Sequence, residues 1–493
     1  MQQDSGVPTL DSLRNLLPTT FAGGQAGQQL QSVESLARLW AGYGWILRLH
    51  FVADESEVPP TAILKYVDVA GAITADAGHA GHGHGHQGLD EGTTRKLASY
   101  RVEANYYQYL SSLFNEPSGS SSSSLAPTWR PFASVPRFLG PCQPSTERAP
   151  LLLLLEDVQP THPVMGIKPT EMTWGQCLAA LNWFAGFNAC YWGLDEGQAE
   201  MCPPPRELMA ATRGRAERGG EPWSGKGVWQ YGTYKSYSYL STRLDELKRI
   251  PASSPFAELR GPLAFAVEWL LLEGDRRGDK TRSGRTLVHG DAKLANMAFA
   301  PSDEDGDEAW HEAASAAAAA TQVSTSTSSS HPPSRYHVST YDFQYVGLGI
   351  GVQDLVKFIT VAVPVEWLWQ ERRSTTTEEQ GKEVEALSKG EEGLLRFYYT
   401  RLTTHLQSRS LSPDYTFPQL LADWDLALIA WLRFTEGWVN PVAAKNEKKD
   451  HKAQWLTRRG LEILNRSGWK ESVLQRWEKA GKPGGEMLDE LSL

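Results

Sequence analysis

Paired cysteines are missing from this chain. Its four, Cys142, Cys177, Cys190 and Cys202, include no CxxC couple with metal-ligand spacing and are expected to be free thiols. Long apolar runs are missing too. Leu151–Leu155 is a run of five leucines, far below the ~20 residues that cross a bilayer, so a buried strand is expected there and no membrane insertion. Positive charge is in short supply: 48 Lys+Arg stand against 58 Asp+Glu, the formal net charge is −10, and no dense basic run occurs. Nucleic acid and anionic membrane are therefore not expected as main partners. The N-terminus carries Asp4 and Asp11 and no apolar segment of the kind a secretory signal needs, so the expected compartment is cytoplasmic. No internal repeat is evident.

What is present is an ordinary globular composition, 41% hydrophobic and 22% charged over 493 residues, enough for two packed lobes. The second half reads as helical. Trp174, Leu178, Leu181 and Ala185 form one stripe at helical spacing, Leu263, Val267 and Leu270–Leu271 another, and Leu421, Trp424, Leu428 and Trp431–Leu432 a third. Residues 203–228 interrupt this pattern, and 374–392 read as a charged, exposed link. Most of the 18 tryptophans fall on the helical stripes, where packing is their expected use.

One stretch carries chemistry. Leu287-Val288-His289-Gly290-Asp291-Ala292-Lys293-Leu294-Ala295-Asn296 is followed by Tyr341-Asp342-Phe343-Gln344. A hydroxyl attacking a γ-phosphoryl group needs a carboxylate to orient it and take its proton, and Asp291 fits. A triphosphate needs divalent cations held by hard oxygen ligands; an Asn five positions on can turn back to the metal, so Asn296 and Asp342 fit as metal ligands. Apolar residues before the triplet, Met297-Ala298-Phe299 behind it and a β-prone run ahead of Asp342 match strand, loop, strand, turn.

This segment resembles the catalytic loop and metal-binding turn of the aminoglycoside-phosphotransferase and choline-kinase-like superfamily, especially its ecdysteroid-kinase-like (CHK kinase-like) branch. The resemblance implies an α+β, bilobal protein-kinase-like fold with a β-rich N-lobe and a mainly helical C-lobe. It also implies ATP and Mg²⁺ as cofactors, and transfer of the γ-phosphoryl group to a small-molecule hydroxyl. The N-lobe is expected over 25–158 and the C-lobe over 159–493, with the catalytic loop at 287–299 and the metal-binding turn at 341–344. Lys293 departs from the bulky aromatic often found there in the ecdysteroid-kinase-like branch and is similar to the γ-phosphate-contacting Lys of protein kinases. That weakens a steroid substrate without touching transfer chemistry.

The same resemblance assigns residues upstream. Thr61–Val67 is an apolar β-type run with one embedded lysine, so Lys65 is expected to meet the α/β-phosphates. Its partner belongs on the first long helix, read as 96–114, where Tyr100, Glu103, Tyr107 and Leu110 share a stripe; Glu103 is expected to pair with Lys65. Residues 36–49 read as two strands around a turn holding Gly42 and Gly44, the expected nucleotide-covering loop, although a third glycine is missing. Glu156 to Val158 would be the interlobe connector, whose backbone takes the adenine edge.

The remaining unusual segments read as structural or inert. Asp291 and Asp342 lie 51 positions apart, but 303–335 combine an acidic run, an alanine run and a Ser/Thr run, and are expected to be a low-complexity insertion outside the core at the tip of a hairpin. The His/Gly-rich loop at 71–92, with His79, His82, His84 and His86, could capture zinc, nickel or copper. Glycine at every second position gives it no fixed geometry, and a loop expansion is expected. Gly347–Gly351 is not followed by the elements of a dinucleotide fingerprint, and Asp354 is expected to cap a helix or brace the catalytic loop. Two alternatives stay open: a protein kinase, although no Ala-Pro-Glu element follows and Gln344 stands where that class has Gly, and a catalytically inactive kinase-like module. The acceptor is open among choline-like amines, sterols, sugars and aminoglycosides.

Overall fold

Strands β1 (Leu30–Arg38), β2 (Gly44–Phe51) and β3 (Thr61–Val67) form an antiparallel meander that continues through β6 (Leu151–Glu156) to β5 (Phe138–Gly140), giving a five-stranded sheet. The computed structural model describes residues 7–17, 29–39, 42–52, 59–71, 91–115, 132–140, 150–194, 201–216, 223, 225–232, 238–272, 284–302, 308–321, 335–369, 387–412, 414–438 and 451–491. The His/Gly-rich segment 72–90 and Cys142 lie outside these.

The leucine run is a strand because both of its faces are covered. Leu152 and Leu154 join Leu47, Leu49, Leu64 and Leu13 on the outer face, while Leu153 and Leu155 turn inward to the core that holds Ala98 and Val102. Each buried leucine contributes roughly 1.5–3 kcal/mol, so this strand is a main anchor of the sheet. The inner helix runs Glu91–Asn105, five residues earlier than the apolar stripe suggested, and passes through a π-turn at Tyr106–Leu110.

A second sheet, of order β4-β10-β9-β7, belongs to the larger lobe, with β4 at Ala133–Ser134, β7 at Val164–Met165, β9 at Met297–Ser302 and β10 at Arg335–Thr340. The short β8 (Arg285–Val288) pairs with β11 (Gly347–Ile350). Around these lie helices Trp174–Cys190, Pro262–Leu272, Val352–Val361, Lys389–Ser408, Phe417–Trp438, His451–Leu464 and Trp469–Lys479. The fold is thus α+β, an antiparallel-sheet N-lobe followed by a mainly helical region. No helix among the described residues is long and apolar enough to cross a membrane. The described cysteines, Cys177, Cys190 and Cys202, are free thiols.

Two expectations are corrected. The insertion at 303–335 is not all outside the core: Glu308–Thr321 is a helix packed on Lys389–Ser408, with Trp310, Ala314 and Ala317 buried. Alanine there is an interface residue. A Cβ at Gly393 would lie 2.7 Å from the Ala320 methyl, so the two helices approach as closely as small side chains allow. Likewise, the link expected to be exposed up to Glu392 ends in a buried charge network, in which Glu391 accepts from Trp424 Nε1 at 2.7 Å and from Arg459 Nε at 2.9 Å. A buried carboxylate needs such partners, and they come from helices that sequence spacing does not connect.

Candidate active site

Lys65 sits in the middle of β3, opposite Ile46 of β2 and Leu153 of β6. Its Nζ donates to Glu103 Oε2 at 2.6 Å and to Asp342 Oδ1 at 3.0 Å. Burial opposes charge on both members of the Lys65–Glu103 pair. At Lys65 it is outweighed by Asp342 and Glu103, which hold the ammonium above the usual lysine range. At Glu103 burial dominates, and the carboxyl is pushed up to about 7 in spite of Lys65. These two directions conflict for one contact. A 2.6 Å bond to a lysine held protonated favours the carboxylate, and we take the pair as ionic at neutral pH.

The segment expected to be the catalytic loop begins where β8 ends. Gly290 has φ +83°, and a Cβ there would run into the Tyr345 carbonyl, so the backbone admits only glycine. Asp354, in the first turn of the Val352–Val361 helix, accepts from His289 N at 2.6 Å and Gly290 N at 2.9 Å, bracing the loop as expected. The buried His289 ring has Nε2 3.0 Å from the Tyr341 carbonyl; burial pulls its pKa down to about 4, so the neutral ring donates there.

Asp291 emerges from this braced loop with both carboxylate oxygens engaged. Oδ1 accepts from Lys357 Nζ; Oδ2 accepts from Lys293 Nζ at 2.6 Å and Asn296 Nδ2 at 3.1 Å. Burial alone would raise this carboxyl, but Lys357 and Lys293 overcome it and hold the group well below the usual carboxylate range. It is ionised at any physiological pH.

The hairpin of β9 and β10 brings the other two oxygens together. Its register sets Met297 opposite Thr340, so the residue before one strand and the turn after the other are neighbours, and Tyr341 N donates to Asn296 O at 3.0 Å. Asp342 follows with φ +68°, a left-handed conformation uncommon for a non-glycine residue. Asn296 spends its amide N–H groups on Asp291, which leaves its Oδ1 to accept; Asp342 has Oδ1 on Lys65, which leaves Oδ2. One amide oxygen and one carboxylate oxygen are hard donors of the kind Mg²⁺ takes alongside phosphate and water, so this pair fits such an ion. Among the described residues no cluster of three His, Cys, Asp or Glu side chains offers an alternative metal cage.

Lys65, Glu103, Asp291, Lys293, Asn296 and Asp342 all line one cavity of about 750 Å³ between the sheet and the helical lobe, and Glu156 and Val158 line its connector side. Gly42 and Gly44 do not reach it. Gly44 is required because β3 backbone passes where a Cβ would be, and the wall is supplied by Leu36 to Leu39 instead. Sequence reasoning missed Lys357, Arg48 and Trp431. Arg48 Nε donates to Asp157 Oδ2 at 2.7 Å, tying β2 to the connector. The one available signal for Lys357 was a lone charge among Leu355, Val356, Phe358 and Ile359.

No family model matches the chain. No curated protein matches it either. Among solved structures, a choline kinase from Cryptosporidium parvum aligns over 97% of this chain and 98% of its own, at 8% identity and a TM-score of 0.35. A microcompartment-associated aminopropanol kinase aligns over 93% and 97%, at 12% identity and 0.32. A Ralstonia eutropha protein assigned as an aminoglycoside phosphotransferase aligns over 92% and 95%, at 12% identity and 0.33. Likeness at this level carries no weight for activity, and what the chain does has to be read from its own site.

Proposed function

We propose that this protein is an ATP-dependent kinase that transfers a γ-phosphoryl group to a hydroxyl of a small molecule in the cytoplasm. The observation that carries the reading is the convergence, on one cavity, of a buried Lys65–Glu103 pair, two hard oxygens at Asn296 and Asp342, and the ionised Asp291. Lys65 would hold phosphate oxygens, and Glu103 keeps its ammonium extended toward them. Asn296 and Asp342 would hold Mg²⁺, which when bound neutralises charge on the triphosphate. Asp291 orients the acceptor hydroxyl and receives its proton as the new O–P bond forms and the bond from Pγ to the bridging oxygen breaks, ADP leaving with that oxygen.

Both carboxylate oxygens of Asp291 are occupied by lysines, so one must yield to the hydroxyl. Lys293 is the candidate to leave, since its side chain is 41% exposed against 11% for Lys357, and a γ-phosphate is a suitable destination for it. Within the superfamily its motif resembles, we place the chain with the ecdysteroid-kinase-like branch, from which it departs at Lys293.

Calorimetry with ATP, in the presence and absence of Mg²⁺, tests the reading. Asp342→Ala is expected to weaken Mg·ATP binding far more than metal-free ATP binding, because it removes a ligand shared by ion and phosphates. Equal losses in the two titrations would show that Asp342 holds no metal. Absence of any nucleotide binding by the unmodified chain would remove the kinase reading altogether.

A further inference from the structure

We propose that the acceptor is an anion whose negative charge lies close to the hydroxyl that is phosphorylated, and that Lys357 recognises it; this rests on the kinase reading of the site. Lys357 projects from the Val352–Val361 helix into the cavity that holds Asp291. Its ammonium is seated between Asp291 Oδ1 and the ring of Trp431, whose centroid is 5.8 Å from Nζ. An ammonium has three N–H donors. Among the described residues, Asp291 is the one hydrogen-bond acceptor that Lys357 Nζ meets, so donor capacity and a fixed positive charge remain beside the proposed base. Lys357 and the acceptor hydroxyl would share one carboxylate, so a group held by Lys357 lies within a few ångströms of the reacting oxygen.

The charge of the surrounding wall points the same way. Apart from Asp291 and Asp342, the cavity-lining residues at and beyond Asp291 include no carboxylate, whereas Lys293 and Lys357 are both there. The acids on the opposite side are already matched: Glu103 with Lys65, Asp157 with Arg48 and Glu156 with Arg137. An amine or quaternary ammonium brought to Asp291 would meet a lysine in place, and the one further carboxylate among the described residues on that wall, Asp342, is already paired with Lys65. A carboxylate would meet Lys357 with the face of Trp431 beside it, and Lys357 would screen it from Asp291. Trp431 fits the apolar part of such a molecule, since a flat ring offers contact area at little conformational cost.

The test gives the full chain γ-labelled Mg·ATP and hydroxyl acceptors of either charge: glycerate, 3-hydroxybutyrate and gluconate against choline, ethanolamine and kanamycin, with glycerol as the neutral control. Label is expected on at least one hydroxy acid and on none of the amines. Lys357→Met is expected to raise the KM for that acid by ~10-fold or more, the value of a charge-assisted hydrogen bond, while leaving the Kd for Mg·AMP-PNP within about twofold. Lys357→Arg should restore most of the lost affinity. Lys357→Gln, read in the same way, stands in if the Met variant melts early. Transfer to an amine, equal transfer to glycerol and glycerate, no transfer to any acid, or an unchanged acid KM in the Met variant would each overturn the anionic-acceptor assignment while bound nucleotide kept the kinase reading alive. An unmodified chain that binds no Mg·AMP-PNP would overturn both.

Discussion

At the scale of single residues, Asp291 is where the reading is most exposed to refutation. Asp291→Asn keeps a hydrogen-bonding group of the same size but removes the proton acceptor. It is expected to cut transfer to any identified acceptor by ~100-fold or more, with the Kd for Mg·ATP nearly unchanged, as single-turnover kinetics and calorimetry would show. Turnover at the parent rate would end the assignment. A second residue-scale prediction concerns His162, in contact with His337, whose pKa burial and the facing imidazole pull down to about 4. The sign follows from linkage. Above the unfolded value of 6.5 the contribution to stability is complete; as pH falls, the unfolded chain gains a proton the folded chain refuses, and stability is lost down to about 4. Melting temperatures between those pH values should therefore fall more steeply for the parent than for His162→Asn, and parallel profiles would count against it. That Lys65, Asp291, Asn296 and Asp342 belong together was legible in the sequence from residue type and spacing, and the four do line one cavity. Lys357 was not, because it reaches Asp291 from 66 positions away through a helix whose direction only tertiary packing decides.

At the scale of elements, the strands were readable where an alternation showed, as around β2, or where an apolar run was nearly continuous, as in β3 and β6. The helix Glu308–Thr321 was not readable. Five consecutive alanines present no apolar stripe, although alanine is the strongest helix former and the natural partner for a close helix crossing. Its one large anchor is Trp310, which stacks edge-on against Phe397 of the Lys389–Ser408 helix. Trp310→Ala is expected to cost roughly 3–5 kcal/mol, and deletion of 308–321 to abolish or sharply destabilise folding, both read by thermal or urea denaturation. Deletion without loss would mean that this helix is dispensable to the core after all.

At the scale of the whole molecule, a boundary near Val158 was expected from the resemblance; strand β6 ends at Glu156 and the next long helix opens at Trp174. Packing divides the molecule differently. Val102, Tyr106 and Tyr107 belong to the same core as Trp183 and Phe187 of the Trp174–Cys190 helix, while the outer face of the sheet forms a separate cluster with the Leu10–Leu16 helix. No sequence pattern announces this, because a stripe of buried residues does not name its partner. Tyr106 stacks on Phe343, next to Asp342, with ring centroids 4.1 Å apart. The segment that carries Glu103 is therefore bolted to the turn that carries Asp342, and the two form a fixed jaw. Lys65 reaches from the sheet to both halves of that jaw, Glu103 at 2.6 Å and Asp342 at 3.0 Å, so a single ammonium clasps three separate segments of the chain together.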